Sequence, residues 1–206
     1  MKNARGQTVE KLLFPHIKRK IVLDLGCIDH HWRRSFREDW MHLFILKHAK
    51  EVLGLDYLEE DAKKLAQLGY NIRYGDAENF DLGRQFDVIF AGELIEHLEN
   101  FRGFFESCKK HMNKESKLII TTPNCFALRY TLQHLFNRAY ANPEHTCWFD
   151  EVTLGHLVHR HDLKIDGMNY ISASREGAKG IKATILWTIS NIPRSSPGLF
   201  LVATKK

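Results

Sequence analysis

Ile21-Val22-Leu23-Asp24-Leu25-Gly26-Cys27 is the stretch on which the reading of this chain turns. Its run of Ile, Val and Leu suits a parallel strand buried on both faces. The glycine that closes the run lets the backbone turn sharply and approach a ligand. In open α/β sheets, ligands sit at that edge, outside the carboxyl ends of the strands. Taken alone, the stretch fits equally well a plain core strand followed by a turn, so the decision falls to the segments downstream.

Four further apolar runs follow. Glu51-Val52-Leu53-Gly54-Leu55-Asp56 closes on an acid, where doubly wound folds place a carboxylate for nucleotide ribose hydroxyls. Tyr70 to Glu78 is a third strand whose end carries Asp76. Phe86-Asp87-Val88-Ile89-Phe90 runs into Ala91-Gly92-Glu93 and a helical Leu94 to Leu98. Lys117 to Thr121 stops at Thr122-Pro123-Asn124. Helical apolar spacing over Glu38–Lys50, Glu59–Leu68, Phe101–His111, Phe126–Arg138 and Asp150–His161 separates or follows these runs, with Asp150 a candidate N-cap. Leu163–Ala173 and Leu199–Thr204 are the remaining strands, the last expected at an antiparallel edge.

This ordered series resembles the class I S-adenosylmethionine-dependent methyltransferases, from about Arg19 to Asp162. Within that class it is similar to the ubiquinone-biosynthesis-type small-molecule O-methyltransferases. The resemblance implies a doubly wound, seven-stranded, mostly parallel sheet of Rossmann-like methyltransferase type with an antiparallel edge strand. It also implies S-adenosylmethionine as cofactor and a small-molecule acceptor, methylated on an oxygen of a sugar or other small metabolite.

Composition agrees with one compact α/β domain over 1–206. The 206 residues are 44% hydrophobic and carry a formal charge of +5, with Lys and Arg interleaved among Asp and Glu instead of forming a nucleic-acid stripe. Lys18-Arg19-Lys20 reads as a solvated helix end, whereas Arg33, Arg34 and Arg37 lie near the expected cofactor mouth. Cys27, Cys108, Cys125 and Cys147 show no CxxC spacing and read as reduced thiols of a cytoplasmic protein. Residues 1–19 lack a signal-peptide core and read as an amphipathic lid helix. Residues 174–198 read as an insertion; within them Ile181–Ile192 is too short to span a bilayer but apolar enough for peripheral contact.

By the resemblance, Asp24 and Gly26 lie under the methionine moiety and Cys27 offers backbone. Asp56 accepts both ribose hydroxyls, Tyr57 packs on adenine, Asp76 takes the adenine amino group, and Ala77 gives its amide. Glu78, Ala91, Gly92 and Glu93 complete the cleft. Where the family carries two glycines after Cys27, this chain has Ile28, Asp29 and His30. The loop must therefore take another path, leaving Ile28, Asp29 or His30 in contact with the ligand. Missing glycines also weigh against a dinucleotide pyrophosphate, and they open a second reading: a noncatalytic scaffold that keeps the fold.

His145, in the segment Asn142-Pro143-Glu144-His145-Thr146-Cys147-Trp148-Phe149, is the expected catalytic base on a loop returning over the cleft. His97, four residues after Glu93, is expected to order the cleft. No metal is expected, since His156, His159 and His161 match no zinc spacing.

Overall fold

The computed structural model describes residues 8–137, 141–172 and 180–206. Seven strands form one sheet in the order β3-β2-β1-β4-β5-β7-β6. They are β1 (Ile21–Leu25), β2 (Glu51–Asp56), β3 (Ile72–Tyr74), β4 (Phe86–Gly92), β5 (Met112–Pro123), β6 (Leu163–Ile171) and β7 (Gly198–Lys205). The first five are parallel; β7 runs antiparallel to both β5 and β6. The antiparallel edge expected of the Leu199–Thr204 strand falls instead to Leu163–Ile171: β6 is outermost, and β7, antiparallel to both its neighbours, lies one position inside it.

Side-chain alternation along each strand divides the core between two faces. Val22, Val52, Val88, Phe90 and Ile119 pack on one face beneath α1 (Val9–Ile17) and α2 (Met41–His48), through Leu13, Ile17 and Ile45. Leu23, Leu25, Leu55, Ile89 and Ile120 face the other side, under α4 (Phe101–Lys110) and α6 (Glu151–Arg160), which contribute Phe104, Phe105, Leu154 and Val158. Between β2 and β3, α3 (Glu59–Gln67) buries Ala62 and Leu65. Glu59, Glu60 and Asp61 fill its first turn, where negative charge suits the helix dipole. Asp150 caps α6 as expected, in a reciprocal box with Thr153.

Several expected elements change length or type. Leu94–Leu98 forms only a single 3-10 turn, Ile95–His97, and the helix expected from Glu38 starts at Met41. Phe126–Arg138 becomes α5 (Leu128–Leu135), while Arg138 and Ala173 lie outside the described residues. The 174–198 insertion contains α7 (Gly180–Ser190); its residues 174–179 are outside the description. Ile181, Ile185, Leu186 and Ile192 are exposed. Among the described residues, no helix is long and apolar enough to cross a membrane. All four cysteines are free thiols. In the expected lid, residues 1–7 are not described; α1 is clamped to the sheet by Leu13 and Ile17 and reaches the rim of the cavity through Val9.

Candidate active site

At the carboxyl ends of β1, β2 and β4, where the strand order reverses between β1 and β4, lies an open cavity of about 1250 Å³. Ligand pockets commonly hold about 300 to 1,000 Å³, so this one has room for a cofactor and an acceptor together. Asp24, Gly26, Cys27, Ile28, Asp29, His30, Asp56, Tyr57, Asp76, Ala77, Glu78, Gly92, Glu93, His97 and His145 all line it. Ala91 does not: it is fully buried in the core beneath α4, because alternation turns it opposite to Phe90.

On the β1–β2 side, the carboxylates are already partnered within the protein, while His42 Nε2 is buried without a partner among the described residues. Asp24 points to the α1/α2 face and meets His42 of α2, with Oδ2 2.7 Å from Nδ1. Both side chains are buried. A carboxylate only accepts, so Nδ1 of His42 carries the proton when Asp24 is ionised. Gly54, the register partner of Asp24 on β2, leaves room for this pair: a Cβ there would meet the Cys27 thiol at 2.6 Å and the His42 ring at 3.1 Å. Burial, then the charges of Asp24 and Asp56, pushes the Cys27 thiol up, away from the reactive thiolate.

The altered loop resolves the question of the missing glycines. The Ile28 side chain is 5% exposed and packs with Trp40, Ala62, Leu65 and Ile72. Its amide donates to Asp56 Oδ2 at 2.7 Å, while Leu58 N donates to Oδ1 at 3.1 Å. The indole of Trp40 donates to the Cys27 carbonyl at 2.8 Å. Asp56 is therefore fixed by backbone donors but keeps lone pairs for a ligand, since an ionised carboxylate offers about four acceptor sites. Burial, the largest cause, raises its pKa against these amides. Gly26 (φ +67) and His30 (φ +61) both take the left-handed region. His30 adopts, at some cost, a conformation that glycine adopts freely.

The other expected site residues on this side also have partners within the protein or stand at the cavity mouth. Asp29 is held by Arg34, whose Nε lies 2.7 Å from Oδ2. His30 is exposed, with its ring 3.7 Å from Glu144 and 3.8 Å from Asp29. Glu78 lines the cavity, but its carboxylate accepts from Glu99 N at 2.6 Å and Asn100 N at 3.0 Å, which commits that oxygen to the start of α4. Asp76 accepts from Glu78 N at 2.8 Å, and Tyr57 is 68% exposed at the mouth.

Across the cavity the pattern reverses. Glu93 (φ +49) leads into the 3-10 turn, and Glu96 in that turn is 2% exposed. Burial, followed by the neighbouring Glu93 carboxylate, pushes the Glu96 carboxyl well above the usual range; burial raises Glu93 as well. Thr122 donates to Glu96 Oε2 at 2.9 Å. His97 Nδ1 lies 3.2 Å from the Glu144 carbonyl, which can only accept, so Nδ1 is the donor there and Nε2 is not engaged in that bond. The His145 ring lies edge-on to His97 at 4.8 Å. Its Nδ1 is buried without a hydrogen-bond partner among the described residues. Burial and then His97 lower the His145 pKa. Glu96, His97 and His145 bring one ligand-capable atom each within 4.8 Å of one another.

Glu96 and His42 escaped the sequence reading. The only signal for Glu96 was its place between Glu93 and His97, and a regular α-helix would point adjacent residues about 100° apart. Nothing in the sequence marked His42, which looked like one more position on an amphipathic helix.

A parallel sheet with its ligand cavity at the strand-order reversal, lined by acidic strand ends, defines a nucleotide-cofactor enzyme of the doubly wound class. The chain belongs to the methyltransferase-domain family, whose model matches residues 2–166. It is similar to (S)-tetrahydroprotoberberine N-methyltransferase of Eschscholzia californica, at 25% identity over 99 residues, 48% of this chain and 28% of that protein. The matched part thus spans less than a third of that relative. Its fold is shared with an S-adenosylmethionine-dependent methyltransferase of Archaeoglobus fulgidus (TM-score 0.63, 19% identity, 96% of this chain and 93% of that one). It is also shared with 1,6-didemethyltoxoflavin-N1-methyltransferase of Burkholderia thailandensis, solved with its substrate and S-adenosylhomocysteine (TM-score 0.59, 17% identity, 96% and 76%). The class I methyltransferase expected from the motif series is the class that family and fold support.

Proposed function

We propose that this chain is a single-domain enzyme that moves a methyl group from S-adenosylmethionine to an oxygen of a small-molecule acceptor, a sugar or other small metabolite. Asp24, Gly26 and the Cys27–His30 backbone hold the amino-acid end of the cofactor. Asp56 takes the ribose, and Tyr57, Asp76 and Ala77 take the adenine. The bound cofactor supplies an electrophilic methyl on a sulfonium. The acceptor then lies towards Glu93, Glu96, His97 and His145, with the α1 end at Val9 covering the rim.

The chemistry asked of the protein is small. The cofactor would supply both the methyl and its neutral thioether leaving group, so the chain's own residues have only to orient the acceptor oxygen and receive its proton. The hydroxyl proton must go elsewhere. His145 Nδ1 is buried and has no partner among the described residues, so it can take that proton without first giving up another bond. That orphaned nitrogen is the single observation carrying the reading. The direction of Ile28 supports catalysis over a silent scaffold, because the residue that replaces a glycine turns its side chain into the core. An amine acceptor is the second reading, favoured by the N-methyltransferases named above.

Calorimetric titration with S-adenosylhomocysteine tests the cofactor half, and absence of binding would end the proposal. Screening hydroxyl and amine acceptors then tests the other half. With an acceptor in hand, His145→Ala should lose about 100-fold or more in turnover with cofactor affinity intact. Unchanged turnover removes His145 as the base.

A further inference from the structure

We infer that Glu96, His97 and His145 form a site for a divalent transition cation at the acceptor end of the cavity, where the ion would hold and polarise the acceptor oxygen. The inference rests on the methyltransferase reading and concerns the same acceptor site. Three observations carry it.

The first is convergence. A carboxylate and two imidazoles, from the turn after β4 and from the loop before α6, place ligand atoms within 4.8 Å of one another at the wall of a large cavity. Three protein ligands beside an open cavity is the arrangement of a catalytic metal site, which keeps positions free for water or substrate.

The second is the set of groups behind the ligands. Metal-binding histidines usually donate their other ring N–H to a carbonyl or carboxylate, and ligating carboxylates are themselves hydrogen-bonded. Here His97 donates to the Glu144 carbonyl, and Thr122 donates to Glu96 Oε2. The two segments are also tied together: Thr146 N and Oγ1 both donate to the Glu96 carbonyl, at 2.8 and 3.1 Å, and Oγ1 is 2.7 Å from the Leu98 carbonyl.

The third is the orphan nitrogen of His145, buried and unpartnered beside a buried carboxylate with a second, Glu93, nearby. A dication would satisfy the nitrogen and offset the Glu96 carboxylate; with His145 then a ligand, the ion replaces the His145 base in activating the acceptor hydroxyl. The donor set, two imidazoles and one carboxylate, suits zinc, cobalt, nickel or iron(II) better than magnesium or calcium, which favour all-oxygen sites. Bound there, the ion would act as a Lewis acid on the acceptor oxygen and lower the pKa of its hydroxyl.

The test uses the full chain, first stripped with a chelator and then titrated with Co²⁺. The expected result is the visible absorption of a low-coordinate nitrogen–oxygen cobalt site, displaced by Zn²⁺, with affinity reduced at least about 100-fold in His145→Ala and in Glu96→Gln. His156→Ala, on the exposed face of α6, should bind like the unaltered protein. Thr122→Val, which leaves all three ligands in place, should weaken binding by about 10-fold and serves if the ligand variants do not fold. An aqueous-ion spectrum, or affinity equal in Thr122→Val and the unaltered chain, overturns the inference. S-adenosylhomocysteine binding is read in parallel by calorimetry: its loss alone breaks the methyltransferase reading, and loss of cobalt binding alone breaks the cation site.

Discussion

The two walls of the cavity are built on opposite plans. On the β1–β2 wall, Asp24 is bonded to His42, Asp56 to the amides of Ile28 and Leu58, and Asp29 to Arg34. On the β4 wall, Glu96 is buried, with the exposed Glu93 its charged neighbour, and His145 Nδ1 has no described partner. The groups of the first wall are already ordered by these bonds, so a ligand binding there would leave little ordering to pay for. The second sets the buried Glu96 carboxyl beside the unpartnered His145 nitrogen, a pair that is costly until a proton, cation or substrate meets it. Strained or unsatisfied groups of that kind concentrate at functional sites.

The largest effect that bears on this contrast is expected at the buried Asp24–His42 pair. His42→Leu should lower the free energy of unfolding in urea by about 3 kcal/mol, because it leaves the buried Asp24 carboxylate without its hydrogen-bond donor. A loss under about 1 kcal/mol would show that the β1–β2 wall is not held by this contact, and the contrast would fail on its ordered side. An intermediate effect is expected at Asp56. Asp56→Ala should weaken S-adenosylhomocysteine binding by about 1.5 to 3 kcal/mol, the range for hydrogen bonds to a charged group. Affinity like that of the unaltered chain would take Asp56 out of the ribose site and leave it as an anchor for the Ile28 amide alone. The smallest is expected at His30, whose left-handed backbone is strained. His30→Gly should raise stability by no more than about 1 kcal/mol, because relief of strain is partly offset by the greater freedom of glycine in the unfolded chain. A marked loss instead would show that the His30 ring, near Glu144, matters more than the backbone it sits on.

Legibility in the sequence tracks how local the cause is. Val22 to Leu25 reads as a buried strand because each residue there packs on a sheet face, whatever its neighbours in space turn out to be. Asp150 was visible as a cap because its partner, Thr153, is three residues away. The acidic strand ends Asp24, Asp56 and Asp76 could be placed at the cavity because topology alone puts strand ends there. The helix expected over Leu94–Leu98 failed for a non-local reason: Glu96 leaves the regular spiral to meet Thr122 on β5, and its carbonyl is taken by Thr146.

The sequence by itself therefore determined the sheet, the wall on which a nucleotide cofactor would lie, and the likeness to a methyltransferase family, since hydrophobic period and strand-end chemistry are written in neighbouring residues. Tertiary structure alone decided where Ile28 points, what Asp24 bonds to, and that Glu96, His97 and His145 meet. Those outcomes depend on which side chains distant segments bring together. Along the chain, a histidine bound for a core pair, such as His42, is indistinguishable from one bound for a cavity, such as His145.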